Sequence, residues 1–199
     1  MKIHLIGIGG SGISAIALLL KERGHEVSGS DLVSSPHTEK LTRAGIQVYE
    51  GHLAEQVSGA DLVIRSSAIP DSNPEVVAAA EAGIPVVKRA DYLGDLLADS
   101  YTVAVAGTHG KTTTTAMVAW LLTALKQDPS FIVGGIIENL QTNARAGSGR
   151  TFVIEADEYD KMFLGIKPDL AVVTNVDYDH PDLFPDANIY FSAFQEFIA

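Results

Sequence analysis

Short apolar runs alternate along the chain with segments of helical periodicity. Residues 2–6, in which Ile3, Leu5 and Ile6 are apolar, are predicted to form a buried strand. The apolar residues that follow recur at the spacing of one helix face, and they are Ile13, Ile16, Ala17 and Leu20. Arg23-Gly24 gives that helix a C-terminal signal. Because this strand–helix alternation continues, the pattern predicts an α/β fold with a parallel, doubly wound sheet.

The same patterns place the remaining elements. In the first half, strands are predicted at residues 26–30, 47–49, 61–65 and 85–88, and helices at 37–44, 74–82 and 91–98. In the second half, strands are predicted at 102–106, 131–133, 152–155 and 170–174, and helices at 111–125 and 189–198. The polar stretch 136–150 is interpreted as a loop. The predicted inner face of helix 111–125 consists of Met117, Trp120, Leu121, Ala124 and Leu125.

A polar break at Asp99-Ser100 separates two strand–loop–helix beginnings. It predicts a Rossmann-like domain over residues 1–99 and a second α/β domain of the P-loop ATPase type over residues 100–199. The 199 residues are 46% hydrophobic, which suits one large or two small globular domains.

Composition excludes several classes of function. The chain has no cysteine, which rules out disulfides and thiolate metal sites, and its formal net charge is −11. Such an acidic surface disfavours nonspecific binding to nucleic acid and to anionic membranes. The apolar N-terminal stretch is too short and too rich in glycine for a membrane span, and it lacks a signal-peptide pattern. We therefore expect a cytoplasmic protein.

The first glycine loop, residues 7–12, fits the pattern G-x-G-x-x-G between a predicted strand and helix. In this pattern Gly7 permits the tight turn, Gly9 lets a diphosphate approach the backbone, and Gly12 allows close helix–strand packing. Asp31 follows at the distance where an acid commonly meets a ribose hydroxyl. The loop fits NAD or any other nucleotide diphosphate, and a glycine turn without a ligand is the structural alternative.

The second glycine loop, residues 107–113, reads Gly-Thr-His-Gly-Lys-Thr-Thr. Lys111 is placed to reach the β- and γ-phosphates of a nucleotide, and Thr112 to ligate Mg²⁺. The match to a standard P-loop is incomplete, because Val105 stands where the first glycine belongs. His109 either contacts a phosphate or only shapes the loop. A threonine-rich helix cap is the structural alternative.

Two acidic segments follow the predicted strands of the second half. Glu155 ends strand 152–155, where a nucleotide-bound Mg²⁺ needs an oxygen ligand. His180 follows strand 170–174 and suits a second divalent ion or a phosphate oxygen. Without the neighbouring glycine loop, both segments would be interpreted as solvated turns.

Together these motifs resemble those of the Mur ligases, and among them the members that join L-alanine to UDP-N-acetylmuramate. The matching segments occur in the family's order along nearly the whole chain, at residues 4–12, 29–31, 66–69, 73–75, 107–114, 155–158 and 179–180. The second glycine loop is specific to the family, whereas the first is not.

The resemblance implies three domains, which bind the UDP-sugar, ATP and the incoming amino acid. ATP phosphorylates the muramoyl carboxylate, and the amine of L-alanine attacks the acyl phosphate in peptidoglycan precursor synthesis. The residues that would face the UDP diphosphate or lie near it are Gly9, Gly10, Ser11, Gly12, Asp31, Ser66, Ser67 and Ala68. Those that would hold ATP are Gly107, Thr108, His109, Gly110, Lys111, Thr112 and Thr113.

The catalytic residues implied by the resemblance are Lys111, Glu155 and His180. Thr112 and Glu155 would ligate one Mg²⁺, and His180 a second. Phosphoryl transfer requires positioning and charge neutralisation more than a protein nucleophile, and the chain offers a lysine and metal ligands but no nucleophilic triad.

Two departures keep alternatives open. Glu158-Tyr159-Asp160 stands where many members have Glu-Ser-Asp, and a tyrosine there also resembles the murein tripeptide ligases. The segment from residue 160 to 180 is nevertheless short, as in the alanine-adding members. The chain also ends at Ala199 without a third domain, so we expect a truncated ligase that is inactive alone. An NAD-binding oxidoreductase explains only the first loop, and a noncatalytic nucleotide-binding module is the other alternative.

Overall fold

The computed structural model describes the backbone of residues 1–199 and the side chains of all of them except residues 160–162. The chain divides into two compact units, Met1–Tyr92 and Leu93–Ala199. The domain boundary predicted between residues 99 and 100 stays a prediction. Within the described residues, every helix is too short or too polar to cross a membrane.

The first unit is a parallel α/β sheet with helices between its strands. Its strands are β1 (Lys2–Ile6), β2 (Glu26–Asp31), β3 (Gln47–Glu50), β4 (Leu62–Arg65) and β5 (Val86–Lys88). Its helices are α1 (Ser11–Glu22), α2 (Pro36–Arg43) and α3 (Pro74–Glu81), with a 3-10 turn at Ala54–Val57; α4 (Arg89–Leu97) includes the division between the units. The strand order β3-β2-β1-β4-β5 is doubly wound, as predicted.

Local sequence explains why these helices begin where they do. Ser35 caps α2 with a reciprocal pair of hydrogen bonds to Thr38. Asn73 caps α3 by accepting from two backbone amides, and Pro74 occupies the first helical position. The predicted inner face of α1 is confirmed, because Ile13, Ile16, Ala17 and Leu20 are all buried.

The second unit contains a mixed sheet. Its strands are β6 (Tyr101–Ala106), β7 (Ser130–Ile137), β8 (Thr142–Arg145), β9 (Thr151–Glu155) and β10 (Leu170–Val173). Its helices are α5 (Lys111–Ala124) and α6 (Ala187–Phe197), with a 3-10 segment at Tyr159–Gly165. The strand order is β10-β6-β9-β7-β8, and every pair is parallel except β7–β8.

The prediction of a loop over residues 136–150 is wrong, because β8 lies within that stretch. β8 pairs antiparallel with β7 through a tight turn in which Gln141 has a positive φ of 54°. Ala144 is fully buried, and the Arg145 guanidinium lies 5.3 Å from the centre of the Phe131 ring. Polar residues therefore form this strand because β7 supplies the pairing and the packing, which the local composition does not show.

The predicted inner face of α5 is also wrong. Met117 and Leu121 are 66% and 58% exposed, and Trp120 and Leu125 are exposed as well. The helix instead packs on the sheet through the buried Ala119 and its partly buried neighbours Ala116, Val118 and Leu122, against a core cluster that includes Phe131, Val133 and Val153. Because α5 carries apolar residues on both sides, periodicity alone does not select the packed face.

Candidate functional site

The first glycine loop lies where the strand order of its sheet reverses. It follows β1, and Ser66 follows the neighbouring strand β4 and donates its amide to the Ile6 carbonyl at 3.0 Å. A Cβ added at Gly7, which has a φ of +79°, would lie 3.1 Å from the Ser66 Cβ. The structure thus brings the predicted residues of the first loop and Ser66 together at the switch point where α/β sheets bind ligands. Ser67 and Ala68 lie in the adjoining turn.

Asp31 lies against the first glycine loop. Its Oδ2 accepts a hydrogen bond of 2.8 Å from the Gly9 amide, and the Ser30 carbonyl accepts from the amides of Gly7 and Ile8 at 2.8 and 2.9 Å. A Cβ at Gly9 would lie 2.9 Å from Asp31 Oδ2. The carboxylate of Asp31 therefore occupies the space that the missing side chain of Gly9 leaves. Asp31 orders the loop in this way, and its predicted contact with a ribose hydroxyl stays a prediction.

The first turn of α1 is covered by an arginine that sequence reasoning missed. A Cβ at Gly12 would lie 2.0 Å from an Arg89 guanidinium nitrogen. Gly12 therefore makes room for the Arg89 side chain, whereas the motif predicts that it makes room for close helix–strand packing. Gly10 and Ser11 are exposed beside it. Amides at the start of a helix together with a guanidinium form a setting that favours anions. The signal in the sequence is only a basic residue after β5.

The second glycine loop follows β6 and leads into α5, which begins at Lys111. Its shape is fixed by two residues after β10 that were not predicted as site residues. The Thr108 amide donates to the Asn175 carbonyl, and the His109 amide to Asn175 Oδ1, both at 3.0 Å. Thr174 Oγ1 donates to the His109 carbonyl at 2.6 Å. His109 thus shapes the loop through its backbone, while its side chain is exposed.

Two glycines are required in this loop for different reasons. Gly107 faces Thr174, whose Oγ1 would lie 2.0 Å from an added Cβ. Gly110 has a left-handed backbone with a φ of +82° directly before α5. Val105, the departure from the standard P-loop, lies inside β6 and is fully buried. The loop therefore begins only at Gly107.

The Lys111 ammonium lies inside its own loop. Nζ donates to the Gly107 carbonyl at 2.7 Å and lies 3.0 and 2.8 Å from the two carboxylate oxygens of Glu158. The Glu158 side chain is fully buried, and that of Lys111 is 14% exposed. Glu158 was quoted in the sequence motif but not predicted as a site residue, because nothing local shows that it pairs with Lys111.

Two further side chains, those of Tyr190 and His180, lie near Glu158. The Tyr190 hydroxyl is 2.8 Å from Thr108 Oγ1 and 3.5 Å from Glu158 Oε1, while His180 Nε2 is 3.6 Å from the same Glu158 oxygen. Burial raises the pKa of Tyr190, and the nearby carboxylate of Glu158 adds to that rise. The phenol therefore stays protonated and able to donate to Glu158 or Thr108. Tyr190 was missed by sequence reasoning.

Thr112 and Glu155 meet at the predicted Mg²⁺ site. Thr112 Oγ1 donates to Glu155 Oε1 at 2.9 Å, and Glu155 Oε2 accepts from the Gly134 amide at 2.6 Å. A hydroxyl and a carboxylate are oxygen donors that suit Mg²⁺, which also takes waters and phosphate oxygens as ligands. Among the described residues no three acidic or histidine side chains are gathered for a metal. The two residues therefore fit an ion that arrives with a nucleotide.

The remaining predicted residues take these places. Thr113 is exposed in the first turn of α5. His180 lies edge-on to the Tyr159 ring, 5.5 Å between centroids, and its acidic neighbours are Glu158 and Asp179. Its role toward a second ion stays a prediction. The side chain of Asp160, which belongs to the departing motif, lies outside the described residues.

Comparison with known proteins gives the family. Residues 2–101 match the model of the Mur ligase family catalytic domain, and residues 105–199 match that of the Mur ligase middle domain. The UDP-N-acetylmuramate–L-alanine ligase of Rubrobacter xylanophilus is 48% identical over 199 residues, which is 100% of this chain and 44% of that protein. The same ligase of Legionella pneumophila strain Paris is 49% identical over 183 residues, which is 92% of this chain and 39% of that protein.

Solved structures give the same result. The UDP-N-acetylmuramate–alanine ligase of Thermotoga maritima matches with a TM-score of 0.90 at 38% identity, over 99% of this chain and 46% of that one. The UDP-N-acetylmuramate:L-alanyl-γ-D-glutamyl-meso-diaminopimelate ligase of Neisseria meningitides also gives 0.90, at 35% identity, over 99% of this chain and 67% of that one. The chain spans less than half the length of the curated relatives described above. It belongs to the Mur ligase family.

Proposed function

We propose that this chain carries the UDP-sugar and ATP sites of a ligase that joins L-alanine to UDP-N-acetylmuramate through an acyl phosphate. The family and the names of its relatives support this assignment. The observation that carries the ATP half is the meeting of Lys111, Thr112 and Glu155 around one glycine loop. A cytoplasmic location stays a prediction.

In this proposal each residue of the second loop has a role that its surroundings support. The Lys111 ammonium supplies positive charge to the phosphates, because Glu158 and the Gly107 carbonyl hold it in the loop. Amides at the start of α5 orient phosphate oxygens. Mg²⁺ held by Thr112 and Glu155 would neutralise charge on the transferred phosphoryl group. The attacking group is the substrate carboxylate, so no protein nucleophile is needed.

In the first unit, the first glycine loop and the turn after β4 would receive the UDP diphosphate. The amides at the start of α1 and the guanidinium of Arg89 lie together there, which suits a doubly charged anion. Asp31 and Ser66 border the same loop. This arrangement supports a nucleotide diphosphate without selecting the sugar that it carries.

Binding to the 199-residue chain tests the two sites separately. We expect saturable binding of UDP-N-acetylmuramate by calorimetry and of a fluorescent ATP analogue in the presence of Mg²⁺. Lys111→Ala should abolish the second and leave the first unchanged. Tight NADH binding without UDP-N-acetylmuramate binding would instead support an oxidoreductase domain. In the complete protein, phosphate release that depends on L-alanine and on Lys111 tests the ligation itself.

A tripeptide ligase is a second candidate, because Tyr159 stands in the motif after β9, where the sequence also resembles the murein tripeptide ligases. The fold does not choose between the two, since the meso-diaminopimelate ligase matches with the same TM-score as the alanine ligase. Phosphate release by the complete protein decides between them when L-alanine and L-alanyl-γ-D-glutamyl-meso-diaminopimelate are offered in turn. Faster release with the tripeptide would overturn the assignment to L-alanine.

A further inference from the structure

A cluster of polar side chains lies inside the first unit and links α3 to the strands. We call it the Glu75 cluster, and it consists of His4, Ser28, Ser30, His52 and Glu75. Glu75 Oε2 is 2.6 Å from His4 Nε2, while Oε1 accepts from Ser30 Oγ at 2.7 Å and lies 2.6 Å from His52 Nδ1. The side chains of His4 and Glu75 are fully buried. None of these residues is among those assigned to a ligand.

Burial of this carboxylate is costly unless its partners compensate. Burial would raise the pKa of Glu75, but hydrogen bonds from His4, Ser30 and His52 outweigh it and lower the pKa overall. Apolar residues form the core cluster on the same helix and strands, including Ile6 and Val76. Replacement of a buried charged group and its partners by apolar residues is often neutral or stabilising. Stability alone therefore does not account for the Glu75 cluster.

The Glu75 cluster connects directly to the first glycine loop through Ser30. The Ser30 hydroxyl is held by Glu75, and the Ser30 carbonyl accepts the amides of Gly7 and Ile8. The next residue, Asp31, accepts the amide of Gly9. Three consecutive loop amides are thus turned toward the end of β2. The amides that begin α1 have no acceptor within the helix and remain available to an anion.

We propose that Glu75 is a positioning residue for the first glycine loop. Through Ser30 it holds the end of β2, and the end of β2 holds the loop in the shape that presents the start of α1 to a diphosphate. The proposal rests on the function proposed above for the identity of the ligand, UDP-N-acetylmuramate. The positioning itself is independent of which diphosphate binds.

Amide hydrogen exchange tests the positioning without a ligand. Ser30→Ala removes only the linking hydroxyl and should leave the fold intact, while Glu75→Gln removes the charge. In both variants, exchange of the amides of residues 7–9 should be about tenfold faster. That factor corresponds to a loss of local stability comparable to one charge-assisted hydrogen bond. Glu81→Gln is the matched control, because Glu81 is exposed on the same helix. Unchanged loop exchange in Ser30→Ala, or equal acceleration at Leu5 within β1, would overturn the proposal.

Ligand binding then tests the consequence. Both variants should weaken UDP-N-acetylmuramate binding about tenfold, whereas binding of ATP with Mg²⁺ at the second loop should not change. The second loop thus serves as an internal control for folding. Faster loop exchange with unaltered affinity for the UDP-sugar would refute the role in binding. If the unaltered chain does not bind the UDP-sugar at all, the proposed function fails, and the exchange rates still decide the positioning.

Discussion

The pair formed by Lys111 and Glu158 gives a prediction about both stability and nucleotide binding. Lys111→Met keeps the length of the side chain and removes its charge, which leaves the fully buried Glu158 carboxylate without its countercharge. Removal of one partner of a buried pair costs about 3–5 kcal/mol. Because Tyr190 and His180 also lie within 3.6 Å of Glu158, we expect the lower end of that range, about 3 kcal/mol.

A double-variant cycle separates the pair from its individual members. Glu158→Gln alone should cost about 1 kcal/mol, because the ammonium stays near the loop carbonyls. The variant Lys111→Met/Glu158→Gln should be more stable than Lys111→Met, with an interaction energy of about 1–3 kcal/mol. Trp120 is the only tryptophan and lies in α5, so its fluorescence in urea follows the second unit.

The result that would refute this reasoning is additivity. If the double variant loses the sum of the two single losses within about 0.5 kcal/mol, the pair does not form in solution. Nucleotide supplies a second readout, because ATP with Mg²⁺ at a hundred times its dissociation constant stabilises a protein by about 2.7 kcal/mol. That gain should vanish in Lys111→Met and persist in Glu158→Gln.

Three further predictions concern other residues. Because the pKa of Glu75 is lowered from 4.5 in the folded chain, its contribution to stability is complete above that value and is lost as the pH falls through the lowered one. Urea unfolding followed by circular dichroism should therefore show a flatter acid limb in Glu75→Gln. Glu155→Gln should weaken ATP binding about tenfold with Mg²⁺ and leave Mg²⁺-free binding unchanged, measured by fluorescence titration. Phe163→Ala should cost about 3–5 kcal/mol in urea unfolding, because the fully buried ring stacks on Phe197 at 4.9 Å, whereas the exposed Phe191→Ala should cost under about 1 kcal/mol.

The elements that follow from local pattern were predictable, and those that depend on distant partners were not. β1 and the core face of α1 follow from an apolar run and a helical spacing, which belong to the segment itself. β8 could not be found in this way, because its polar residues become a strand only by pairing with β7. The packed face of α5 was predicted wrongly for a different reason. Apolar residues lie on both sides of this helix, so their spacing does not show which side is buried.

The site divides in the same manner. Lys111, Thr112 and Glu155 were predicted because a loop after one strand and an acid at the end of another imply a shared edge of the sheet. Glu158 and Asn175 were missed as site residues because their contacts with the loop span 47 and 66 positions. No spacing rule within the loop records such partners.

Thr174 and Asn175, which follow β10, hold the second glycine loop in place by hydrogen bonds. The sequence pattern that identifies this site is therefore divided between two segments that lie far apart in the chain. Because Val105 belongs to the strand, the loop is shorter than a standard P-loop. Contacts with Thr174 and Asn175 fix its backbone conformation instead. Substitutions on either side should therefore be tolerated only in matched combinations. A sequence pattern that combines this loop with a Thr-Asn pair more than sixty positions downstream should identify such sites in chains that lack the first glycine of the standard P-loop.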